Sequence, residues 1–180
     1  SRSSADSAPD PVRPQRSLRG PIERVWHYLT DSEARGEWLA RGPMDLRVGG
    51  EVNLAFRHDT LSAQHGPTPE RFRDDDSVHR QPGRITACDP PRLLAHTWGE
   101  AHGMPSEVRY ELEPQGDRVL LTITHRRLVG RETLTSVAAG WHTHAGILLD
   151  RLEERASANF WTTYEALETE YAQRLPRDAA

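Results

Sequence analysis

Hydrophobic residues recur at helical spacing directly after Pro21. Positions 22, 25, 26 and 29 are all apolar, which predicts an amphipathic helix, and a proline suits the first turn of a helix. Asp31 or Ser32 can cap a second short helix that ends near Trp38 and Leu39. The pattern predicts two short helices in a bent pair, preceded by a short edge strand within residues 13–19.

A longer apolar stripe runs through residues 133–154. Val137, Trp141, Ala145, Leu148 and Leu152 follow one another at steps of four, four, three and four, while the opposite side carries charged residues. A break is expected near 156–159, and a second helical run then continues to about residue 174. The pattern predicts one long amphipathic helix and an additional C-terminal helix.

Between these helices the apolar residues alternate with polar ones, as in strands. Gly49 and Gly50 separate two alternating runs, which predicts a β-hairpin over residues 44–58. Residues 83–98 and 106–128 each predict two strands joined by a tight turn. Consecutive strands of this kind form an antiparallel meander of about six strands, whose concave face the long helix must cover. The polar residues 58–80 predict a long loop that acts as a lid.

Composition limits the partners and the compartment. The 180 residues carry a net charge of −4, and all 23 basic residues are arginines scattered along the chain, which argues against nucleic acid or an anionic membrane as the partner. The single cysteine, Cys88, excludes an intrachain disulfide and a multi-cysteine metal site, and it favours the reducing cytoplasm. No run approaches the ~20 apolar residues of a membrane span.

Three sequence blocks carry a resemblance to a known family. They are "PIERVWHYLTD" at 21–31, "DPPRLLAHTW" at 89–98 and "AGWHTHAGILLDRL" at 139–152. With the strands between them, they resemble the SRPBCC, START-like (Bet v 1-like) superfamily over residues 17–155. Within it, they resemble the branch named after the C-terminal domain of the activator of Hsp90 ATPase.

The resemblance implies an α+β helix-grip fold, in which a curved antiparallel β-sheet wraps around a long C-terminal α-helix and leaves a cavity between them. Residues 13–155 would form this domain, with a disordered tail at 1–12. Residues 156–180 depart from the usual short form of the family, since they add a helix and tail that would cover a face or mediate a homodimer. Members of the superfamily bind apolar or amphipathic small molecules, some catalyse cyclisation or dehydration, and the eukaryotic namesake is a co-chaperone.

Aromatic and histidine residues on the predicted sheet and long helix are candidates for the cavity wall. For Trp98, Trp141 and His144 we favour the cavity wall, and for Trp38 ordinary core packing. The candidate ligand-binding residues are Trp38, Phe56, His96, Trp98, Tyr110, Ile123, His125, Trp141, His144, Ala145 and Leu148.

Two glycines interrupt the long helix. Gly140 and Gly146 each cost about 1 kcal/mol of helix stability relative to alanine. They indicate either that the helix passes close to the sheet or that room is left for a ligand.

Other chemistries have weaker support. His142 and His144 are two residues apart and point in different directions on a helix, so packed or hydrogen-bonded histidines are favoured over a metal site. Cys88 has no histidine beside it in sequence, which favours an inert thiol.

General acid–base catalysis stays open, with the candidates His125, His144, Glu107, Glu111 and Tyr110. No catalytic residue is assigned, and neither a metal nor a cofactor is expected. The sequence therefore favours a binding protein for an apolar or amphipathic small molecule. The alternatives are an enzyme on the same cavity (a cyclase, dehydratase or hydrolase) and, more weakly, a co-chaperone-like interaction module.

Overall fold

The computed structural model describes residues 13–57, 79–98, 106–128, 131–158 and 160–174. The helices and strands, in chain order, are β1 (Gln15–Arg19), α1 (Ile22–Thr30), α2 (Ser32–Gly36), β2 (Glu51–Phe56), β3 (His79–Asp89), β4 (Leu93–Trp98), β5 (Ser106–Gln115), β6 (Arg118–Arg126), α3 (Arg131–Leu152) and α4 (Phe160–Arg174). The expected tail at 1–12 and residues 58–78 of the predicted lid lie outside the described residues. No helix among the described residues is long and apolar enough to cross a membrane.

The six strands form one antiparallel sheet in the order β1-β6-β5-β4-β3-β2. Register sets which side chains share a face: Val108 of β5 lies opposite His96 of β4 and opposite His125 of β6. Tyr110 lies opposite Ile123 in the next layer of the same face. This face is the concave one, which α3 covers, and the predicted α+β helix-grip fold is confirmed.

The acidic residues of β5 lie on the other face of the sheet. Glu107 and Glu111 alternate with Val108 and Tyr110 along the strand, so their side chains point away from α3. The expectation that these two carboxylates line the cavity with His125 is therefore wrong. They belong to the solvent-facing side, as charged residues on strands usually do.

The predicted hairpin around Gly49 and Gly50 is half correct. The turn is present, because Gly49 has a φ of +85° and the Gly50 N–H donates to the Arg47 carbonyl. Its second strand is β2, but residues 41–47 form no regular strand beside it and pair with it in two isolated bridges, Arg41 to Ala55 and Met44 to Val52.

The chain before this turn has no regular strand for two reasons. Gly42 has a φ of +125° and Pro43 offers no N–H, so the ladder is interrupted at both residues. The alternating residues Leu46 and Val48 are 41% and 70% exposed, so their pattern does not reflect burial.

The helices follow the sequence pattern closely. Val25 and Leu29 are the buried residues of α1, and the Asp31 side chain caps α2 by accepting a hydrogen bond of 3.0 Å from the Ala34 N–H. The predicted long helix is α3 and the additional helix is α4. Helix α4 packs on α3 through Phe160, Trp161 and Tyr164, whose side chains are all buried.

Candidate ligand-binding site

A cluster of aromatic and imidazole rings lies between the sheet and α3. Neighbouring ring centroids lie 5.5 to 6.4 Å apart, mostly edge to face, at distances typical of favourable ring pairs. The members of this ring cluster are Phe56, His96, Trp98, Tyr110, His125, Trp141 and His144. The structure thus brings together seven of the residues that the sequence nominated.

The ring cluster is buried at every position except one. Within the described residues, Trp98 is the ring that stays partly exposed, at the end of β4. It contacts Phe56, His125 and Trp141, so it joins the sheet part of the cluster to the helix part. The cluster therefore meets the surface at Trp98.

His125 is held as a neutral ring by two hydrogen bonds. The indole N–H of Trp141 donates to His125 Nδ1 at 2.9 Å, and because indole is only a donor, Nδ1 must be the unprotonated nitrogen. The proton is then on Nε2, which lies 2.9 Å from the Ser106 hydroxyl oxygen and donates to it. Burial, with a smaller contribution from His96, lowers the pKa of His125 to about 3.

His96 is also neutral, but in the opposite tautomer. Its Nδ1 lies 2.9 Å from the Thr97 carbonyl oxygen, so Nδ1 carries the proton and donates. Its Nε2 accepts from the Tyr110 hydroxyl at 3.2 Å. Burial lowers the pKa of His96 to about 4, and it raises the pKa of the Tyr110 phenol.

His144 connects α3 to the segment after α2. Its Nδ1–H donates to the Trp38 carbonyl at 2.8 Å, and its ring lies 5.1 Å from the Phe160 ring of α4. Trp38 is fully buried, and its indole N–H donates to the Tyr28 carbonyl at 2.8 Å. Trp38 is thus a core residue whose carbonyl orients His144.

The remaining nominated residues form the apolar surroundings of the ring cluster. Ile123 lies on β6 opposite Tyr110 and is fully buried. Ala145 and Leu148 are buried on α3 in the same core. His142 instead hydrogen-bonds to Tyr171 of α4 at 3.1 Å, so the two histidines do point in different directions.

Arg35 is a component of the site region that sequence reasoning missed. Its side chain is 1% exposed, and burial lowers its pKa below the ordinary value. Its guanidinium donates to the carbonyls of Ala40 at 3.0 Å, of Leu29 and Thr30 at 3.2 Å each, and of Gly42. Arg35 therefore ties the end of α1 to the segment that leads into β2.

The two glycines of α3 do not face the sheet. The nearest side-chain atom that a Cβ on Gly140 would meet is Cε2 of Tyr164 in α4, at 4.0 Å. A Cβ on Gly146 would meet nothing within 4 Å. The expected close passage of α3 over the sheet at these glycines is wrong, and the free room at Gly146 lies away from the sheet.

The histidines have limited capacity to bind a metal. Among the described residues no group of three His, Cys, Asp or Glu side chains is close enough to hold an ion. The ring nitrogens of His96 and His125 are engaged in the hydrogen bonds given above. Cys88 is partly buried on β3, and burial raises the pKa of its thiol, which makes it a weak nucleophile.

A curved antiparallel sheet that grips a long C-terminal helix, with a buried ring cluster between them, defines a helix-grip protein of the SRPBCC type. The sequence profile of the Activator of Hsp90 ATPase homolog 1-like protein family matches residues 19–154, and the chain belongs to this family. Helix α4 lies beyond the matched residues.

Solved structures resemble the chain over most of its length. The protein encoded by gene BPP1335 from Bordetella parapertussis is 39% identical, with a TM-score of 0.80 over 98% of this chain and 91% of its own. DynU16, from the dynemicin biosynthetic locus, is 21% identical, with a TM-score of 0.61 over 80% of this chain and 47% of its own. The Aha1 dimer from Colwellia psychrerythraea is 15% identical, with a TM-score of 0.54 over 78% of this chain and 94% of its own. No curated protein matches the chain.

Proposed function

We propose that this protein binds a small, uncharged apolar or amphipathic molecule between the sheet and α3, against the ring cluster. The observation that carries the proposal is the pairing of Trp141 with His125 and of Tyr110 with His96 inside an aromatic wall. Ring faces bind a flat apolar body, and a few buried polar atoms fix its orientation, which is the usual composition of a small-molecule site.

The charge state of the ring cluster favours a neutral ligand. At pH 7 both histidines are uncharged because their pKa values are about 3 and about 4, and the phenol of Tyr110 keeps its proton. The nearby cation of Arg35 is surrounded by four carbonyl oxygens and is 1% exposed. An anionic ligand would find the Arg35 donors already bonded to carbonyls, and a cationic ligand would enter beside the Arg35 charge. Both arrangements are costly in a buried site.

We place the entrance of the site at Trp98, because this ring joins the buried cluster to the surface. DynU16 comes from a biosynthetic locus, which agrees with a small molecule as the ligand of this fold. That likeness, at 21% identity, concerns the fold alone.

An enzyme on the same site is the second candidate. The Tyr110 hydroxyl donates to His96, and a phenol beside an imidazole is a pair that can pass a proton to a substrate in a cyclisation, dehydration or hydrolysis. The depressed pKa of each histidine argues against this role, because an efficient general base has a pKa near the working pH. Binding is therefore the function that we put first.

The first experiment is native mass spectrometry of the purified protein, followed by denaturing extraction of any released molecule. A stoichiometric adduct would support the site and identify the ligand class. The same spectrum reports the oligomeric state, and we include a homodimer among the expected species because the Colwellia relative is described as a dimer.

The second experiment measures binding of a defined probe, 2-naphthol, by tryptophan fluorescence and calorimetry. We expect Trp141→Phe to weaken binding by about tenfold, because it removes ring area and the donor to His125. Trp26→Phe on α1, a partly buried tryptophan outside the ring cluster, is the matched control. Equal affinity in wild type and Trp141→Phe, or no binding in the wild type, would contradict the proposal.

A further inference from the structure

A groove of about 560 Å³ lies on the side of α3 that faces α4, away from the ring cluster. Its volume is within the range of ordinary small-molecule pockets, roughly 300–1,000 Å³. Most of its lining is apolar and comes from both helices, with Ile147 and Leu149 on α3 and Leu167 on α4 as the large apolar side chains. Arg16 of β1 completes the lining.

Gly146 opens this groove in the middle of α3. A Cβ at this position would meet nothing within 4 Å, so packing does not demand a glycine here. Glycine inside a helix is unfavourable relative to alanine. The structural effect of Gly146 is therefore to leave the floor of the groove without a side chain.

The polar groups at the two ends of the groove differ in how many of their hydrogen-bonding atoms are already used within the protein. Asp150 is already engaged, because it accepts from the Ser157 hydroxyl at 3.0 Å and pairs with Arg155 at 3.4 Å. Arg16 donates to the carbonyl of its neighbour Gln15 at 2.7 Å. Among the described residues this is the one hydrogen bond of the Arg16 guanidinium, which has five N–H donors.

Arg16 lies at the His142 end of the groove. The positive charge of Arg16 contributes, after burial, to the lowered pKa of His142. His142 and Asp150 are eight residues apart on α3, or about 12 Å along the helix axis at 1.5 Å per residue. The groove thus has a cationic end, an apolar middle and a neutralised carboxylate at the far end.

We propose that this groove is a second binding site, which takes a medium-chain carboxylate. The carboxylate pairs with the Arg16 guanidinium, and the alkyl chain lies over Gly146 between Leu149 and Leu167. The distance of about 12 Å from His142 to Asp150 suits the extended alkyl chain of such a carboxylate. This site is on the opposite side of α3 from the ring cluster and does not depend on the function proposed there.

Two probes test this proposal, decanoate and decan-1-ol, which differ only in the head group. We expect decanoate to bind the wild type more tightly than decan-1-ol in calorimetry. Arg16→Gln weakens decanoate binding by about tenfold and changes decan-1-ol binding less than twofold, because a charge-assisted pair is lost. Arg13→Gln, an exposed arginine three residues earlier, is the control and leaves both affinities unchanged.

Filling the groove is the complementary test. We expect Gly146→Leu to remove binding of both probes without lowering the melting temperature, since leucine is the better helix former. Ala166→Phe blocks the groove from the side of α4, where Ala166 is exposed. This variant replaces Gly146→Leu in the test if Gly146→Leu folds poorly. Binding of 2-naphthol stays unchanged in both variants, which separates this site from the ring cluster. Decanoate affinity that is unaltered by Arg16→Gln or by both filling variants, or no decanoate binding to the wild type, would overturn the proposal.

Discussion

The indole N–H of Trp141 on α3 lies 2.9 Å from Nδ1 of His125 on β6 and donates a hydrogen bond to it. The bond joins the long helix to the sheet that it covers. Nδ1 can accept this hydrogen bond only while it is unprotonated, so a proton on that nitrogen and the helix–sheet bond exclude each other. The protonation of His125 is thereby linked to the packing of α3.

This link predicts that mild acid destabilises the protein. The folded-state pKa values of about 3 for His125 and about 4 for His96 lie below the ordinary 6.5, so the unfolded chain binds more protons as the pH falls below 6.5. Stability is then full above pH 6.5 and is lost as the pH falls toward the folded values. We expect the free energy of unfolding to decrease by about 2 kcal/mol per histidine between pH 7 and pH 5, as measured by urea denaturation at several pH values.

The control for this pH dependence is a pair of glutamine variants. His125→Gln removes one of the two most strongly shifted histidines, so the loss of stability that these two cause between pH 7 and pH 5 becomes smaller by about half. His27→Gln, at an exposed histidine of α1, is the matched control for the substitution itself. An equal pH slope in wild type and His125→Gln would show that His125 is not buried as a neutral ring.

A second prediction concerns Trp141→Phe. The variant leaves His125 Nδ1 without its donor and removes buried ring area, so we expect a loss of about 1–3 kcal/mol in the free energy of unfolding. The pKa of His125, followed by NMR, rises because its Nδ1 lone pair becomes free to bind a proton. Trp26→Phe is the matched control, and an unshifted His125 titration would contradict the hydrogen bond.

A third prediction concerns Arg35→Lys. In Arg35 the planar guanidinium donates from three nitrogens to four carbonyls. Lysine keeps the positive charge, but its three donors are on a single nitrogen, so it cannot bond to all four carbonyls. The buried cation is then poorly paired, and we expect destabilisation by about 3 kcal/mol or more. Arg92→Lys in the exposed β3–β4 turn is the control, and equal urea midpoints for the two variants would disprove this role of Arg35.

We expect substitution by alanine to change the stability of the protein in opposite directions at two glycines. We expect Gly146→Ala to raise the free energy of unfolding by about 0.5–1 kcal/mol, because alanine favours the helix and its Cβ meets no atom within 4 Å. A Cβ on Gly83 of β3 would lie 2.2 Å from the Thr97 carbonyl oxygen, so Gly83→Ala destabilises the sheet. Thermal denaturation measures both, and a destabilised Gly146→Ala would mean that the groove is narrower than described.

Periodicity predicted the fold where one face of an element is buried along its whole length. The stripe from Val137 to Leu152 placed α3 within two residues of its observed ends. The alternation of apolar and polar residues identified the strands, but at Leu46 and Val48 the same alternation predicted a strand that is not present. Those residues are exposed because they lie between the last bridge to β2, at Met44, and the turn at Gly49.

The sequence predicted which residues belong to the ring cluster better than it predicted the contacts that those residues make. Strand alternation and register are local rules, and they placed His96, Tyr110 and His125 on one face. Arg35 was missed because its partners are backbone carbonyls, which leave no mark in the sequence. Phe160 was missed as a neighbour of His144 because the angle at which α4 returns over α3 is a tertiary property.

The pairing of β1 with β6 has a consequence for how the protein is made. Arg118 of β6 bonds to Ser17 of β1 across 101 positions of the chain. At a synthesis rate of about 5–20 residues per second, β1 leaves the ribosome roughly 5–20 s before its partner strand exists. An unpaired strand is a site of aggregation, and charges on it counteract that hazard. Arg16 and Arg19 on β1 are charges of the kind that counteract this hazard during the interval in which the sheet cannot yet close.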